Sequence, residues 1–262
     1  MLKAKRYFQW SQREYATKRE KAQVFRSFPK PRESGTLIKA VAFDIDGTLS
    51  FPDRSLELTV VRAIRQLAVP IVLATGNVLC FANALAVSIG KISGVIAENG
   101  GIVTVGKSKL VSGNIAACRR AAQEIEGSGE FTLQRINSKE RVTEIAYSKD
   151  NLSPSDVESL RKMVARCCDS VTIVDSGFAL HIKDARVNKG VGLIGVAQLL
   201  GIPVDEFAAF GDAENDVEML EIAGRGIAVG NADPKAQAAA NYVAEEMYGL
   251  GVVEGLKYLR IL

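Results

Sequence analysis

Short apolar runs alternate with stretches whose apolar residues recur every three or four positions, and this alternation organises most of the chain. Ile38–Phe43, apolar except for Lys39, reads as a buried strand. Leu56, Val60, Ile64 and Leu67 then recur at helical spacing, the stripe of an amphipathic helix. Pro70–Ala74, Val95–Ala97, Phe207–Phe210, Ile227–Val229 and Tyr242–Val243 are further predicted strands, with helices between them. Strands separated by helices are the signature of a mainly parallel sheet.

The middle of the chain breaks this rhythm. From about Gly113 to Arg186 the expected order is helix, strand, strand, helix, strand, strand. Arg141–Tyr147 alternates apolar with polar, Pro154–Cys168 is helical, and Val171–Val174 and Phe178–Ile182 flank a Ser176-Gly177 turn. Neighbouring strands with no helix between them point to an antiparallel sheet. The expected fold class is therefore α/β: a Rossmann-like doubly wound, mainly parallel sheet with an inserted α+β domain. The boundaries are a core at 37–112 and 187–262, and the insertion at 113–186.

Charge adds a third segment. Residues 1–36 hold ten Lys/Arg against three Glu, a net +7, whereas the rest of the chain nets −4 and the whole +3. This basic N-terminal extension ends in Pro-Lys-Pro and shows no clear apolar stripe. It reads as a solvated arm rather than a nucleic-acid contact, although a binding module docking through it is the non-enzymatic alternative. A start of translation near Leu37 would account for it equally well. With 47% hydrophobic and 24% charged residues, the body has the composition of an ordinary globular protein. No apolar stretch approaches the ~18 residues that span a bilayer, so no membrane partner is expected. Cys80, Cys118, Cys167 and Cys168 show no C-x-x-C spacing, which fits reduced thiols in a cytoplasmic protein.

Four polar motifs carry the chemistry, each at a predicted strand end or helix start. Ligands of an open parallel sheet bind beyond the carboxyl ends of its strands, so all four are expected on one edge. The first is Asp44-Ile45-Asp46-Gly47-Thr48. Two acids this close repel each other unless a positive group lies between them, which suggests a metal site. A carboxylate can attack phosphorus, and a second acid can protonate the leaving oxygen and later activate water. The second motif, Thr75-Gly76-Asn77, offers a hydroxyl and free amides to an anion, or simply caps the next helix. The third, Asn188-Lys189-Gly190, places a lysine within reach of a phosphoryl oxygen. The fourth, Gly211-Asp212-Ala213-Glu214-Asn215-Asp216, is denser in acids than capping requires. Asp212 and Asp216 would complete an Mg²⁺ site begun by Asp44.

These motifs resemble the four signatures of the haloacid dehalogenase superfamily, specifically its Mg²⁺-dependent phosphatases. The insertion resembles the large cap of the sugar-phosphatase-like branch. Ala97-Glu98-Asn99-Gly100-Gly101 and Asp175-Ser176-Gly177-Phe178-Ala179 with His181 are similar to the archaeal phosphoglycolate phosphatase branch. The resemblance runs from about Leu37 to the C-terminus. It implies Asp44 as nucleophile and metal ligand, and Asp46 as general acid/base that binds Mg²⁺ through its carbonyl oxygen. Thr75, Gly76, Asn77 and Lys189 would bind the substrate's phosphoryl group, and Asp212 and Asp216 the metal.

Ion-pumping relatives that keep a long-lived aspartyl-phosphate have Lys at the position of Ile45 and no acid at that of Asp46. The presence of Asp46 therefore favours hydrolysis. The expected substrate is a small phosphorylated metabolite, 2-phosphoglycolate first, with a sugar-phosphate phosphatase or a phosphomutase as alternatives. His181, the only histidine, is expected to be structural or close to substrate rather than catalytic. An exposed edge of the cap sheet would suit a homodimer.

Overall fold

Alternate residues of a strand point to opposite faces, and Ala40–Asp44 (β1) shows what that requires here. All five are buried, so the sheet must be covered on both sides. The computed structural model describes residues 37–262; the basic extension 1–36 lies outside the described residues. In chain order the core continues with Leu58–Gln66 (α1), Ile71–Ala74 (β2), Leu79–Ile89 (α2), Ile92–Ala97 (β3), Ile102–Val105 (β4) and Ser108–Val111 (β5). The inserted elements, termed the cap, are Ile115–Ser128 (α3), Ile145–Ser148 (β6), Pro154–Cys167 (α4), Val171–Asp175 (β7) and Ala179–Asp184 (β8). The chain then returns with Lys189–Leu200 (α5), Phe207–Gly211 (β9), Val217–Ile222 (α6), Arg225–Ala228 (β10), Pro234–Ala239 (α7), Tyr242–Val243 (β11) and Tyr248–Tyr258 (α8).

The core sheet has the order β11-β10-β9-β1-β2-β3-β4-β5. It is parallel from β11 to β3, and β4 and β5 extend it antiparallel. Val41 and Phe43 of β1 pack with Leu73, Phe210 and Ile227 against Val60 and Ile64 of α1 and Val252 and Leu256 of α8. On the other face Ala40 and Ala42 join Val72, Phe207 and Ala209 beneath Leu193 and Val196 of α5 and Met219 and Leu220 of α6. Strand order reverses at β1, which lies between β2 and β9. The carboxyl ends of these strands therefore border the crevice where such sheets bind ligands.

The second sheet, β6-β8-β7, is antiparallel. Leu180 and Ile182 of β8 pack with Ala121, Ile125, Leu160 and Val164 of the two cap helices. His181 and Lys183 point the other way, yet they are buried as well. A polar face can be buried only if something satisfies it: His181 meets Glu144 and Ser176 and lies against Gly76, and Lys183 donates to the Val187 carbonyl.

The α/β class and mainly parallel sheet are as the sequence pattern predicts, but two local expectations are corrected. The hairpin β4–β5, turning at Gly106-Lys107, is absent from the sequence reading. Only one strand, not two, lies between α3 and α4, and it begins at Ile145 rather than Arg141. Arg135 makes just an isolated bridge to Tyr147. The reason is a competing partner for the backbone. The Glu98 carboxylate accepts hydrogen bonds from the amides of Val142 (3.1 Å) and Thr143 (2.7 Å), so these residues need no neighbouring strand.

Candidate active site

The four motifs meet at one edge of the sheet. Asp44 ends β1 and is buried; its register partner on β2 is Ala74, the residue before Thr75. Gly47 turns the chain with φ of 93°, the left-handed region that suits glycine. A side chain there would run into the Asp212 carboxylate. Thr48 Oγ1 donates to Asp212 Oδ1 at 2.8 Å, and Asn231 Nδ2 donates to the Gly47 carbonyl at 2.8 Å. The first motif is thus tied to the fourth and to the loop after β10.

Lys189 is the first residue of α5, whose N-cap Asn188 accepts from the Val191 amide at 2.8 Å. The lysine side chain is fully buried, and its Nζ donates to Asp44 Oδ1 and, at 2.6 Å, to Asp216 Oδ1. Asp216 Oδ2 accepts from the amides of Asp212 and Ala213, both at 3.1 Å.

Ligand oxygens of Asp44, Asp212 and Asp216 all lie within 4.8 Å of one another. One ammonium cannot balance three carboxylates in a desolvated pocket. Burial and the Asp216 charge push Asp44 well above its ordinary value, with Lys189 opposing. Burial and Asp216 likewise push Asp212 up to about 7. Burial works against the Lys189 ammonium, but Asp216 and Asp44 together hold it above its ordinary value. The donor set is all oxygen, carries excess negative charge and converges on a point, which fits a hard divalent cation such as Mg²⁺.

Asp46 is held differently. Asn77 Nδ2 donates to its Oδ2 at 3.3 Å, while Oδ1 is buried and has no hydrogen-bond partner among the described residues. Thr75 is fully buried; its hydroxyl accepts from the Asn77 amide at 2.9 Å, and its carbonyl accepts from Asn99 N at 3.1 Å. Gly76 and Asn77 line the same cavity as Asp44, Asp46 and Asn215.

Beside the cavity lies a buried network of residues to which the sequence pattern assigns no chemistry. Glu98 and Asn99 both have positive φ, 49° and 52°, a strain that persists only where the surroundings enforce it. Glu98 also accepts from Thr143 Oγ1 at 2.5 Å, and Asn99 bridges Glu144 Oε2 and Asn215 Nδ2, both at 3.0 Å. Glu144 Oε1 is shared by Arg141 Nη1 and His181 Nδ1, the latter at 2.7 Å. Burial pushes the Glu144 carboxyl up, but His181, Arg141 and Asn99 together hold it below its ordinary value.

His181 enters the sequence reading as the lone histidine, expected to be structural or close to substrate, and Asn99 only through the resemblance. Arg54, Arg141 and Glu144 do not enter it as functional residues at all. The one trace they leave is a charged residue at an inward position of an alternating run, as at Arg141.

Gly100 shows how this loop seats the lysine. Its φ is 97°, and a Cβ would overlap the Asn188 carbonyl just before Lys189. Gly100→Ala should therefore cost about 2–3 kcal/mol, a fall in melting temperature of roughly 5–10 °C. A melting curve unchanged by the substitution would show that the loop and α5 yield freely.

The chain matches the family described as haloacid dehalogenase-like hydrolase over residues 41–128 and 119–256. It is 43% identical over 223 residues to the phosphoglycolate phosphatase of Methanosarcina acetivorans, covering 84% of this chain and 96% of that protein. Against the phosphoglycolate phosphatase of Archaeoglobus fulgidus the identity is 42% over 226 residues, covering 86% and 98%. The fold is similar to the crystal structure of Thermoplasma acidophilum 0175, with a TM-score of 0.76 at 22% identity, covering 86% of this chain and 100% of that one.

Proposed function

This chain belongs to the haloacid dehalogenase-like hydrolases, and from that premise we propose that it is an Mg²⁺-dependent phosphatase of small phosphate monoesters, 2-phosphoglycolate foremost. The observation that carries the reading is the pairing, in one cavity, of Asp44, fixed by Lys189, with Asp46, whose buried Oδ1 lacks a partner among the described residues. An unpaired buried oxygen is costly, and once protonated Oδ1 would donate to the leaving-group oxygen. The substrate follows from the relatives named phosphoglycolate phosphatase at about 40% identity.

In this reading Asp44 attacks phosphorus in line and displaces the alcohol, forming an aspartyl-phosphate. Lys189 holds Asp44 in place and offsets the charge that develops on the phosphoryl oxygens. The amides and side chains of Thr75, Gly76 and Asn77 orient those oxygens. Asp46 in its protonated form gives its proton to the leaving oxygen. As a carboxylate it then takes one from the water that splits the phosphoenzyme. Asp44, Asp212, Asp216 and the Asp46 carbonyl would hold Mg²⁺, which when bound neutralises phosphoryl and carboxylate oxygens together. The cap residues over the cavity exclude bulk water while the phosphoenzyme forms.

Phosphate release with Mg²⁺ from 2-phosphoglycolate and a panel of sugar phosphates tests the reading. The expected result is a kcat/KM on 2-phosphoglycolate at least about tenfold above any sugar phosphate. A preference for a sugar phosphate would overturn the substrate, and release from none would favour a mutase.

A further inference from the structure

The same cavity contains a cation that the phosphoryl chemistry does not use. Arg141 is almost wholly buried, with 3% of its side chain exposed. Its Nη1 donates to the Gly76 carbonyl at 2.9 Å and to Glu144, and its Nε donates to the Ile136 carbonyl at 3.3 Å. Its Nη2 has no partner among the described residues, and Arg141 lines the cavity with Asp44, Asp46 and Asn77. A guanidinium keeps its charge and presents a rigid fork of donors suited to carboxylates. Three contacts fix the orientation of this one while its remaining arm is free. Both oxygens of Glu144 are engaged, by Arg141 and His181 on one and Asn99 on the other. Glu144 therefore aligns the guanidinium.

A second cation stands at the same cavity. Arg54 is exposed, has no ion pair among the described residues, and its guanidinium carbon lies 5.8 Å from the centre of the Phe178 ring. The acids that line the cavity are Asp44 and Asp46, both assigned to the phosphoryl end. Size adds a constraint. The cavity measures about 50 Å³, against about 10–15 Å³ for one water, which suits a small ligand. Arg141 is bonded to Gly76, and Asp46 to the next residue, Asn77. A ligand that touches both Arg141 and Asp46 must be short.

We propose that Arg141, assisted by Arg54, binds the carboxylate of the substrate and thereby selects phosphate esters of small hydroxy acids. The inference rests on the phosphatase reading above and names the part of the site that reads the rest of the substrate. Phe178, Ile136 and Ser176 would close around the short carbon spacer.

The test compares 2-phosphoglycolate with 2-hydroxyethyl phosphate, an ester of the same length without the carboxylate, in the full chain with Mg²⁺. Arg141→Gln should lower the ratio of the two kcat/KM values by about a hundredfold, the scale of a lost charge-assisted, fork-like contact. Arg141→Lys, which keeps the charge but loses the fork, should lower it by about tenfold. Arg54→Gln, at an exposed position, should also lower it. The proposal is overturned if the ratio stays at its wild-type value in Arg141→Gln or, should that variant fail to fold, in Arg141→Lys. A wild-type protein that turns over 2-hydroxyethyl phosphate but not 2-phosphoglycolate would overturn the substrate reading itself, and this inference with it. A wild-type preference for 2-phosphoglycolate that survives both Arg141 substitutions would overturn the role of Arg141 alone.

Discussion

Asp44→Asn is expected to abolish phosphate release, by about four orders of magnitude or more, while leaving the protein folded. The amide is nearly isosteric with the carboxylate but cannot serve as the nucleophile. The effect on stability has a less obvious sign. Asp44 is buried beside Asp216 and Asp212 and is pushed well above its ordinary value, so its ionised form is disfavoured in the cation-free protein. Removing that charge relieves repulsion, and Lys189 keeps Asp216 as a partner. The variant should therefore melt at the same temperature as wild type or higher in EDTA, and gain less on addition of Mg²⁺. Retained turnover would sink the covalent mechanism. A clearly lower melting temperature in EDTA would mean that the Asp44–Lys189 pair outweighs the repulsion.

Chelation should silence the enzyme and Mg²⁺ restore it, with a stabilisation that depends on pH. Asp212 is raised from 3.8 to about 7. Between these values the folded, cation-free protein holds a proton that the unfolded chain releases. Its stability from this source is greatest below about pH 4 and is lost as pH rises to about 7. Metal binding needs the ionised carboxylates, so the cation gains on the proton over the same window. At a hundred times its dissociation constant a bound ion adds about 2.7 kcal/mol, or roughly 5–10 °C in melting temperature for a chain of this size. Thermal melts with and without Mg²⁺ should show this shift near pH 8 and a much smaller one near pH 5. Activity undiminished by EDTA, or an equal shift at both pH values, would remove the proposed role of Asp212 and Asp216.

Which parts of this site could be read from the chain depends on how each is built. Asp44, Thr75, Lys189 and Asp212 sit at strand ends or helix starts, where local pattern and backbone geometry fix their place. An apolar run that stops at an acid is visible in a few residues, and the sheet topology brings these ends together. The antiparallel character of the cap followed in the same way from strands adjacent without helices. The segment 141–144 did not, because alternation reports only which side chains turn inward. It does not report that a Glu98 carboxylate, distant in sequence, will take the amides of Val142 and Thr143 in place of a strand.

The four motif positions, the alternation of strands and helices and the apolar stripes that cover both faces of the sheet were determined by the sequence alone, since each rests on backbone propensity and local periodicity. The tertiary structure alone decided that Arg141, Glu144, His181 and Asn99 share one buried network over the cavity. A buried charge is tolerable only with a partner, and these partners come from two separate stretches of the chain, Arg141, Glu144 and His181 from the cap and Asn99 from the core.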